Sequence, residues 1–276
     1  MTTDPKAFYE QKGYLGPLKA FDADELEGLG VISIIGSWDT RDPSRNRNRH
    51  LDTPVFTKIC ENGRIVSTVQ TLLGQDLLLW RTNIFSISSR DNGFGWHQDD
   101  YRTLLECPCD GAHCSVQLNF SDSTATNCVS IIPGTHRFSE EDFRSRGYSM
   151  VPGSEGGLYG SPYWGVPRGV EVVDMPLKAG EFYVFHSRLL HASLQGRRLS
   201  SVMVRNRVAA HWGRIRAKLR RKLTREDVIR YSITMRIATP NTWILPTAFV
   251  ESPARAEVVL FSGRDTCGVN GLGRWM

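Results

Sequence analysis

Two short segments far apart in the chain carry side chains that together could bind a redox metal. The first is Trp96-His97-Gln98-Asp99-Asp100, and His191 lies 92 residues after Asp99. Residues two apart on an extended strand point to the same face, so His97 and Asp99 can face one cavity. With His191 from a second strand, two imidazoles and one carboxylate would cover one face of an octahedron. Three positions would stay open, as in non-haem Fe(II) oxygenases and unlike a closed zinc site.

The residues after His191 indicate a binding site for a carboxylate. His191 follows the strand-like run Glu181–Phe185 and precedes Arg197-Arg198-Leu199-Ser200. A short turn between two strands would bring a guanidinium within reach of the metal cavity, where its planar donors match a carboxylate. Arg198 and Ser200 would share one strand face, which favours Arg198, and Arg197 remains the alternative.

On these residues the chain resembles the phytanoyl-CoA dioxygenase-like (PhyH) branch of the Fe(II)- and 2-oxoglutarate-dependent oxygenases. The resemblance covers most of the chain and is carried by Phe8–Tyr14, Trp96–Asp100, Ile131–Arg137, Ala179–Glu181 and Phe185–Arg198. It implies that His97, Asp99 and His191 hold iron and that the arginine after the distal histidine binds the far carboxylate of 2-oxoglutarate. By weaker analogy, Asn83 and Gln117 are expected to contact this cosubstrate. The chain departs from the family in its short turn, since Arg197 and Arg198 lie only six and seven residues after His191.

Among the histidines, His186 competes with His191 for the third ligand position, because spacing alone does not separate two histidines five residues apart. The context Leu-Leu-His-Ala-Ser favours His191. His136 lies in a family-like segment and is interpreted as a structural histidine. The remaining candidates have no partner pattern and are expected to be surface or hydrogen-bonded residues: His50, His113 and His211.

The resemblance implies an enzyme that uses Fe(II), 2-oxoglutarate and O2 to oxidise a small organic substrate, releasing succinate and CO2. Related halogenases have glycine or alanine at the position of Asp99, so the carboxylate favours hydroxylation of an unactivated C–H bond. Desaturation, epimerisation and ring formation would use the same residues. A secondary-metabolite intermediate is the expected substrate. Two alternatives of other classes are a non-catalytic cupin-like module that binds an acidic partner, and a metal-dependent isomerase.

The pattern of elements predicts a mainly β protein with flanking α-helices, a double-stranded β-helix or jelly roll. A single domain over 1–276 is expected, with a helical part over 1–75 that includes one helix over 53–73. The jelly-roll core is placed at about 76–210. A Gly- and Pro-rich insertion over 137–169 carries Tyr148, Tyr159, Tyr163 and Trp164 and is interpreted as a substrate lid. A basic helix and C-terminal elements over 211–276 complete the chain, with a strand or edge element at Ile229–Ile237.

Composition indicates where the protein is located and which partners it lacks. The chain of 276 residues is 40% hydrophobic with a net charge of +5, and it contains no apolar run of eighteen residues or signal-like segment. We therefore expect a cytoplasmic protein, no membrane association, and six cysteines that are thiols. Cys107-Pro108-Cys109 has poor spacing for zinc. The basic segment 214–225 predicts a solvated amphipathic helix, and without interleaved aromatic residues it does not indicate nucleic-acid binding. Composition does not indicate the oligomeric state.

Overall fold

The computed structural model describes residues 4–38, 42–88, 93–99, 105–106, 112–154, 162–193, 229–250 and 252–273. Seven helices occur in this part of the chain: α1 Pro5–Lys12, α2 Ala23–Gly28, α3 Val31–Gly36, α4 Pro43–Asn46, α5 Pro54–Cys60, α6 Gly63–Leu73 and α7 Glu140–Ser145. The expected helix over 53–73 is thus two helices. Its break falls at Asn62, whose side chain accepts hydrogen bonds from the amides of Arg64 and Ile65 and so starts α6 anew.

Fourteen strands occur in the described residues. They are β1 Tyr14–Lys19, β2 Leu77–Ser88, β3 Phe94–His97, β4 Leu105–Glu106, β5 His113–Asn119, β6 Val129–Ile131, β7 Ser149–Met150, β8 Trp164–Gly165, β9 Val173–Met175, β10 Glu181–His186, β11 His191–Ser193, β12 Ile229–Ala238, β13 Trp243–Ile244 and β14 Val259–Ser262. Two sheets dominate: a six-stranded sheet in the order β1-β10-β5-β12-β2-β14 and a four-stranded sheet in the order β3-β11-β6-β9. Every pairing within these two sheets is antiparallel, and the fold is the expected jelly roll.

The larger sheet separates two environments because side chains alternate along its strands. One face packs against α5 and α6, where Phe56 and Ile65 meet Val116 and Met235 in the main hydrophobic core. The other face looks toward the smaller sheet and carries polar side chains such as Gln117. The helices therefore stabilise the back of the sheet and leave its front for a site between the two sheets.

Two predicted boundaries need correction. The jelly-roll core does not end near 210, because β12 pairs with both β5 and β2 at the centre of the larger sheet. The part expected to be helical also contributes a strand, since β1 pairs with β10 at one side of the same sheet. Among the residues described, no helix has both the length and the apolar character needed to cross a membrane.

Candidate metal centre

The smaller sheet places the two predicted histidine ligands side by side. His97 ends β3 and His191 begins β11, and the two residues are direct partners in the antiparallel pairing. Their ring centroids are 4.3 Å apart. Asp99 follows β3 closely, and its backbone N–H donates to the carbonyl of Ser187 at 2.7 Å. One ligand atom from each of His97, Asp99 and His191 lies within 4.8 Å of the others, and all three residues are buried.

Backbone carbonyls orient both imidazoles. Nδ1 of His97 lies 2.7 Å from the carbonyl oxygen of Gly95, and Nδ1 of His191 lies 2.8 Å from that of Leu189. A carbonyl oxygen only accepts, so Nδ1 carries the proton in each ring and Nε2 presents its lone pair to the centre. The ring of Phe185, with its centroid 5.0 Å from that of His191, packs against the second imidazole.

Burial keeps these histidines neutral at pH 7. It lowers the pKa of His97 to about 4, and the neighbouring His191 adds to this effect while Asp99 opposes it. Burial also lowers the pKa of His191, again against the effect of Asp99. Because a metal binds the neutral imidazole, both side chains are ready to act as ligands without losing a proton.

Asp99 lies in a network of hydrogen-bond donors. Its side chain is 1% exposed, and Oδ2 lies 2.9 Å from Nη1 of Arg236. The hydroxyl of Ser115 lies 3.4 Å from the same oxygen and accepts a hydrogen bond from Arg236 Nη1 at 2.6 Å. The donor set of two neutral imidazoles and one carboxylate suits a divalent iron ion with open coordination positions.

A cavity of about 590 Å³ opens from the three ligands across the front of the larger sheet. Both residues expected by analogy to contact the cosubstrate, Asn83 and Gln117, line it. Gln117 Oε1 accepts a hydrogen bond from the Thr234 hydroxyl at 2.7 Å, which fixes the orientation of its amide. The wall also includes apolar side chains from both sheets and from the N-terminal part: Trp38, Phe85, Ile87, Phe94, Val129, Phe185 and Ile229.

Arg230 is a cavity residue that the sequence analysis missed. Its side chain lines the cavity and is only 4% exposed as a residue. Nη1 donates to the carbonyl of Asn127 at 2.8 Å, and Nε is buried without a hydrogen-bond partner among the described residues. Burial lowers the pKa of Arg230, and its electrostatic partners are Tyr183 and Cys128. Burial raises the pKa of both of these groups, so they are neutral at pH 7. An arginine stays protonated in proteins, so a buried cation faces the cavity with its charge uncompensated by these neighbours.

Several residues predicted to belong to this region are not among the described residues, and one described histidine lies apart from the triad. Arg197, Arg198, Ser200, the basic segment 214–225 and the Cys107-Cys109 pair lie outside the described residues. His186 does not join the ligands. Its ring lies 5.1 Å from that of His136, whose Nε2 contacts the carbonyl of Glu10 at 3.0 Å.

In the described part of the predicted lid, 137–154 and 162–169, Phe143 and Trp164 pack behind the site, whereas the ring of Tyr163 lies 5.9 Å from that of His97. None of the residues in these two ranges lines the cavity. Trp164 stacks on Phe143 with a centroid distance of 4.7 Å, and both belong to a buried cluster with Trp96 and Leu190 on the outer side of the ligand-bearing strands. These aromatic side chains form a support for β3 and β11, and residues 155–161 of the predicted lid lie outside the described residues.

Comparison with known proteins finds similar folds among solved structures. No curated protein matches the sequence significantly. Among solved structures, the fold is similar to "CytC3 with Fe(II) and alpha-ketoglutarate" at 22% identity and TM-score 0.65, covering 99% of this chain and 93% of that one. It is also similar to the non-heme monooxygenase ThoJ in its nickel complex, at 20% identity, TM-score 0.63 and coverage of 99% and 89%.

A third similar structure is the alpha-ketoglutarate-dependent epimerase SnoN from nogalamycin biosynthesis, at 16% identity, TM-score 0.58 and coverage of 88% and 82%. At these identities the likeness shows the fold. Residues 35–199, more than half of the chain, match the phytanoyl-CoA dioxygenase (PhyH) family. The chain therefore belongs to the phytanoyl-CoA dioxygenase family and is an Fe(II)- and 2-oxoglutarate-dependent oxygenase.

Proposed function

We propose that this enzyme hydroxylates an unactivated C–H bond of a small organic molecule, with His97, Asp99 and His191 as the iron ligands. The observation that carries the proposal is the buried triad beside a cavity that holds an uncompensated arginine. Iron and 2-oxoglutarate, when bound, would use O2 to oxidise such a bond, with one oxygen atom going to the product and the other to succinate as CO2 is released. The chain's own residues bind the cosubstrate, place the substrate C–H bond and exclude water.

We assign the distal carboxylate of 2-oxoglutarate to Arg230. Arg230 lies on β12, the strand that also carries Thr234 and Arg236, and all three line the cavity. A buried guanidinium with an unused Nε donor and no carboxylate among its described partners is suited to an anionic ligand. Gln117 and Asn83 are polar residues of the same cavity wall, where the rest of the cosubstrate would lie. Arg198 with Ser200, and Arg197, remain the sequence-based candidates for the same role.

Hydroxylation is favoured by the carboxylate of Asp99. Related halogenases have glycine or alanine at the position of Asp99, which leaves a coordination position for a halide. In this chain the Asp99 carboxylate would occupy that position. The apolar wall formed by Trp38, Phe94 and neighbouring side chains fits a medium-sized organic substrate, for which we propose a secondary-metabolite intermediate.

Anaerobic titration tests the metal and cosubstrate assignments. Adding 2-oxoglutarate to the Fe(II) protein should produce a weak visible charge-transfer band. His191→Ala should lose it, whereas the matched control His186→Gln, which changes a nearby histidine outside the triad, should keep it. A wild-type protein without the band, or a band that survives His191→Ala, would contradict the assignment.

Product analysis tests the reaction type. Candidate substrates are screened by succinate formation, and the product formed under ¹⁸O2 is weighed. Hydroxylation adds one labelled oxygen atom, desaturation or ring formation removes two hydrogens, and epimerisation leaves the mass unchanged. A non-catalytic binding module would form no succinate with any substrate.

A further inference from the structure

We propose that Arg236 and Ser115 are positioning residues that hold one carboxylate oxygen of Asp99, so that Asp99 offers the metal only its other oxygen. This inference rests on the proposed role of Asp99 as an iron ligand. It concerns how that ligand binds, which decides how many coordination positions remain for the cosubstrate and O2.

The two donors belong to neighbouring strands of the larger sheet. Arg236 on β12 and Ser115 on β5 are direct partners in the antiparallel pairing, so their side chains project from the same face. Both residues are buried, at 5% and 0% exposure. Arg236 Nη1 donates to the Ser115 hydroxyl at 2.6 Å, which links the donors to each other as well as to Asp99. The sheet thus presents a fixed pair of donors to a ligand that comes from the opposite sheet.

Both donors select the same oxygen of Asp99. Arg236 Nη1 lies 2.9 Å from Oδ2, and the Ser115 hydroxyl lies 3.4 Å from Oδ2. Both oxygens lie near an imidazole, since Oδ1 is 3.9 Å from Nε2 of His97 and Oδ2 is 3.9 Å from Nε2 of His191, so the two donors are what distinguishes them. An oxygen that already accepts from a guanidinium is a weaker metal donor, because part of its electron density is committed to the N–H group. Oδ1 is therefore the oxygen directed to the metal.

The consequence concerns the count of coordination positions. A carboxylate can bind a metal through one oxygen or through both. With one oxygen of Asp99 and the two Nε2 atoms, three of six octahedral positions are filled, and 2-oxoglutarate can use two of the remaining three. If Asp99 bound through both oxygens, it would occupy the last position, which O2 needs. Holding Oδ2 away from the metal preserves that position.

The charge of Arg236 also serves the protein before metal binds. Asp99 is 0% exposed. An isolated buried carboxylate is strongly disfavoured, so a cation at 2.9 Å stabilises it in place. Arg236 thereby holds the third ligand in its orientation before a metal binds.

Cobalt(II) provides a test that does not depend on turnover, because its visible absorption strengthens as the coordination number falls below six. The variants are Arg236→Met, which keeps the length and removes the donor, Arg236→Lys, which keeps the charge, and Ser115→Ala. Arg144→Met is the control, since Arg144 is an exposed arginine on α7. Each protein is titrated with Co(II) and then with 2-oxoglutarate under anaerobic conditions.

We expect Arg236→Met to bind Co(II) with an altered visible spectrum and to bind 2-oxoglutarate about 10- to 100-fold more weakly, the usual effect of losing a partner of a metal ligand. Arg236→Lys should recover most of the wild-type spectrum and affinity. Ser115→Ala, which removes a neutral donor, should weaken 2-oxoglutarate binding about 2- to 10-fold. Arg144→Met should match wild type.

Two results would overturn the inference: a wild-type spectrum with unchanged 2-oxoglutarate affinity in Arg236→Met, or loss of Co(II) binding in that variant, which would make Arg236 necessary for the ligand set itself. If Arg236→Met does not fold, Ser115→Ala decides by the same spectral and affinity criteria. Failure of the wild-type protein to bind Co(II) or to respond to 2-oxoglutarate would instead contradict the proposed function.

Discussion

Replacing Arg230 by glutamine should sharply weaken the binding of 2-oxoglutarate. Arg230 lines the cavity and is only 4% exposed, and its Nε donor has no hydrogen-bond partner among the described residues. In the complex, the distal carboxylate would be buried as well, so the variant leaves a buried charge without its partner. Truncating one side of such a pair costs about 2 to 5 kcal/mol, which is roughly 30-fold to several thousandfold in the dissociation constant.

A conservative variant separates charge from geometry. Arg230→Lys keeps the positive charge but loses the planar fork, so one charge-assisted hydrogen bond is removed. At about 1.5 kcal/mol for that bond, 2-oxoglutarate should bind about tenfold more weakly than to wild type. Arg144→Gln is the matched control, since it removes the same charge from an exposed position on α7. Metal binding should be unchanged in all three variants because none of them alters a ligand.

The assay is an anaerobic titration of 2-oxoglutarate into the Fe(II) protein, followed by the charge-transfer band and, independently, by calorimetry. The sequence-based candidate enters the same experiment as Arg198→Gln. Wild-type affinity in Arg230→Gln together with a large loss in Arg198→Gln would refute the reasoning and assign the carboxylate to Arg198. Comparable losses in Arg144→Gln would show a general charge effect and would also refute it.

Three further predictions concern the wall of the cavity and the fold around it. Thr234→Val removes the 2.7 Å hydrogen bond that orients Gln117 and should raise the KM for 2-oxoglutarate about 3- to 10-fold; an unchanged KM would exclude Gln117 from this role. Burial lowers the pKa of His50 to about 3, so below pH 6.5 the unfolded state binds one proton more. His50 should therefore contribute a loss of about 1.4 kcal/mol in the free energy of unfolding for each pH unit from pH 6 to 4, and His50→Gln should reduce the slope measured by urea unfolding by that amount. A methyl group on Gly180, where φ is +82°, would overlap the carbonyl oxygen of Phe21, whereas one on Gly153, at φ +80°, meets open space. Gly180→Ala should therefore lower the thermal midpoint more than Gly153→Ala, and equal shifts would show that the overlap relaxes.

The grouping of His97, Asp99 and His191 was expected from the sequence, where only the first two residues are close together. His97 and Asp99 need only strand periodicity to share a face, and His191 stands at the start of a short strand after an apolar run. The pairing of His97 with His191 then brings the two halves together. Structure adds the reason for choosing His191 over His186, whose ring packs toward His136 and away from the triad.

The composition of the predicted lid segment did not determine how its aromatic side chains pack. Aromatic residues in a Gly- and Pro-rich segment are compatible both with a cover over a cavity and with a packed support, and composition does not distinguish these. Tyr148 and Trp164 are buried at 6% and 3% exposure, and they pack with Phe143 behind the ligand-bearing strands. Tyr163 approaches the site, with its ring centroid 5.9 Å from that of His97. The segment therefore fixes the position of a ligand strand.

The arginines were missed because their roles depend on strand order. Arg230 and Arg236 alternate with apolar residues along β12, and such a pattern usually indicates one solvent-exposed face. β12 instead lies between β5 and β2 in the middle of the larger sheet, and its polar face looks into the cavity. Two arginines on the covered face of a central strand are unfavourable unless anions meet them there. Asp99 is the anion beside Arg236. The proposed binding of the 2-oxoglutarate carboxylate would place an anion beside Arg230.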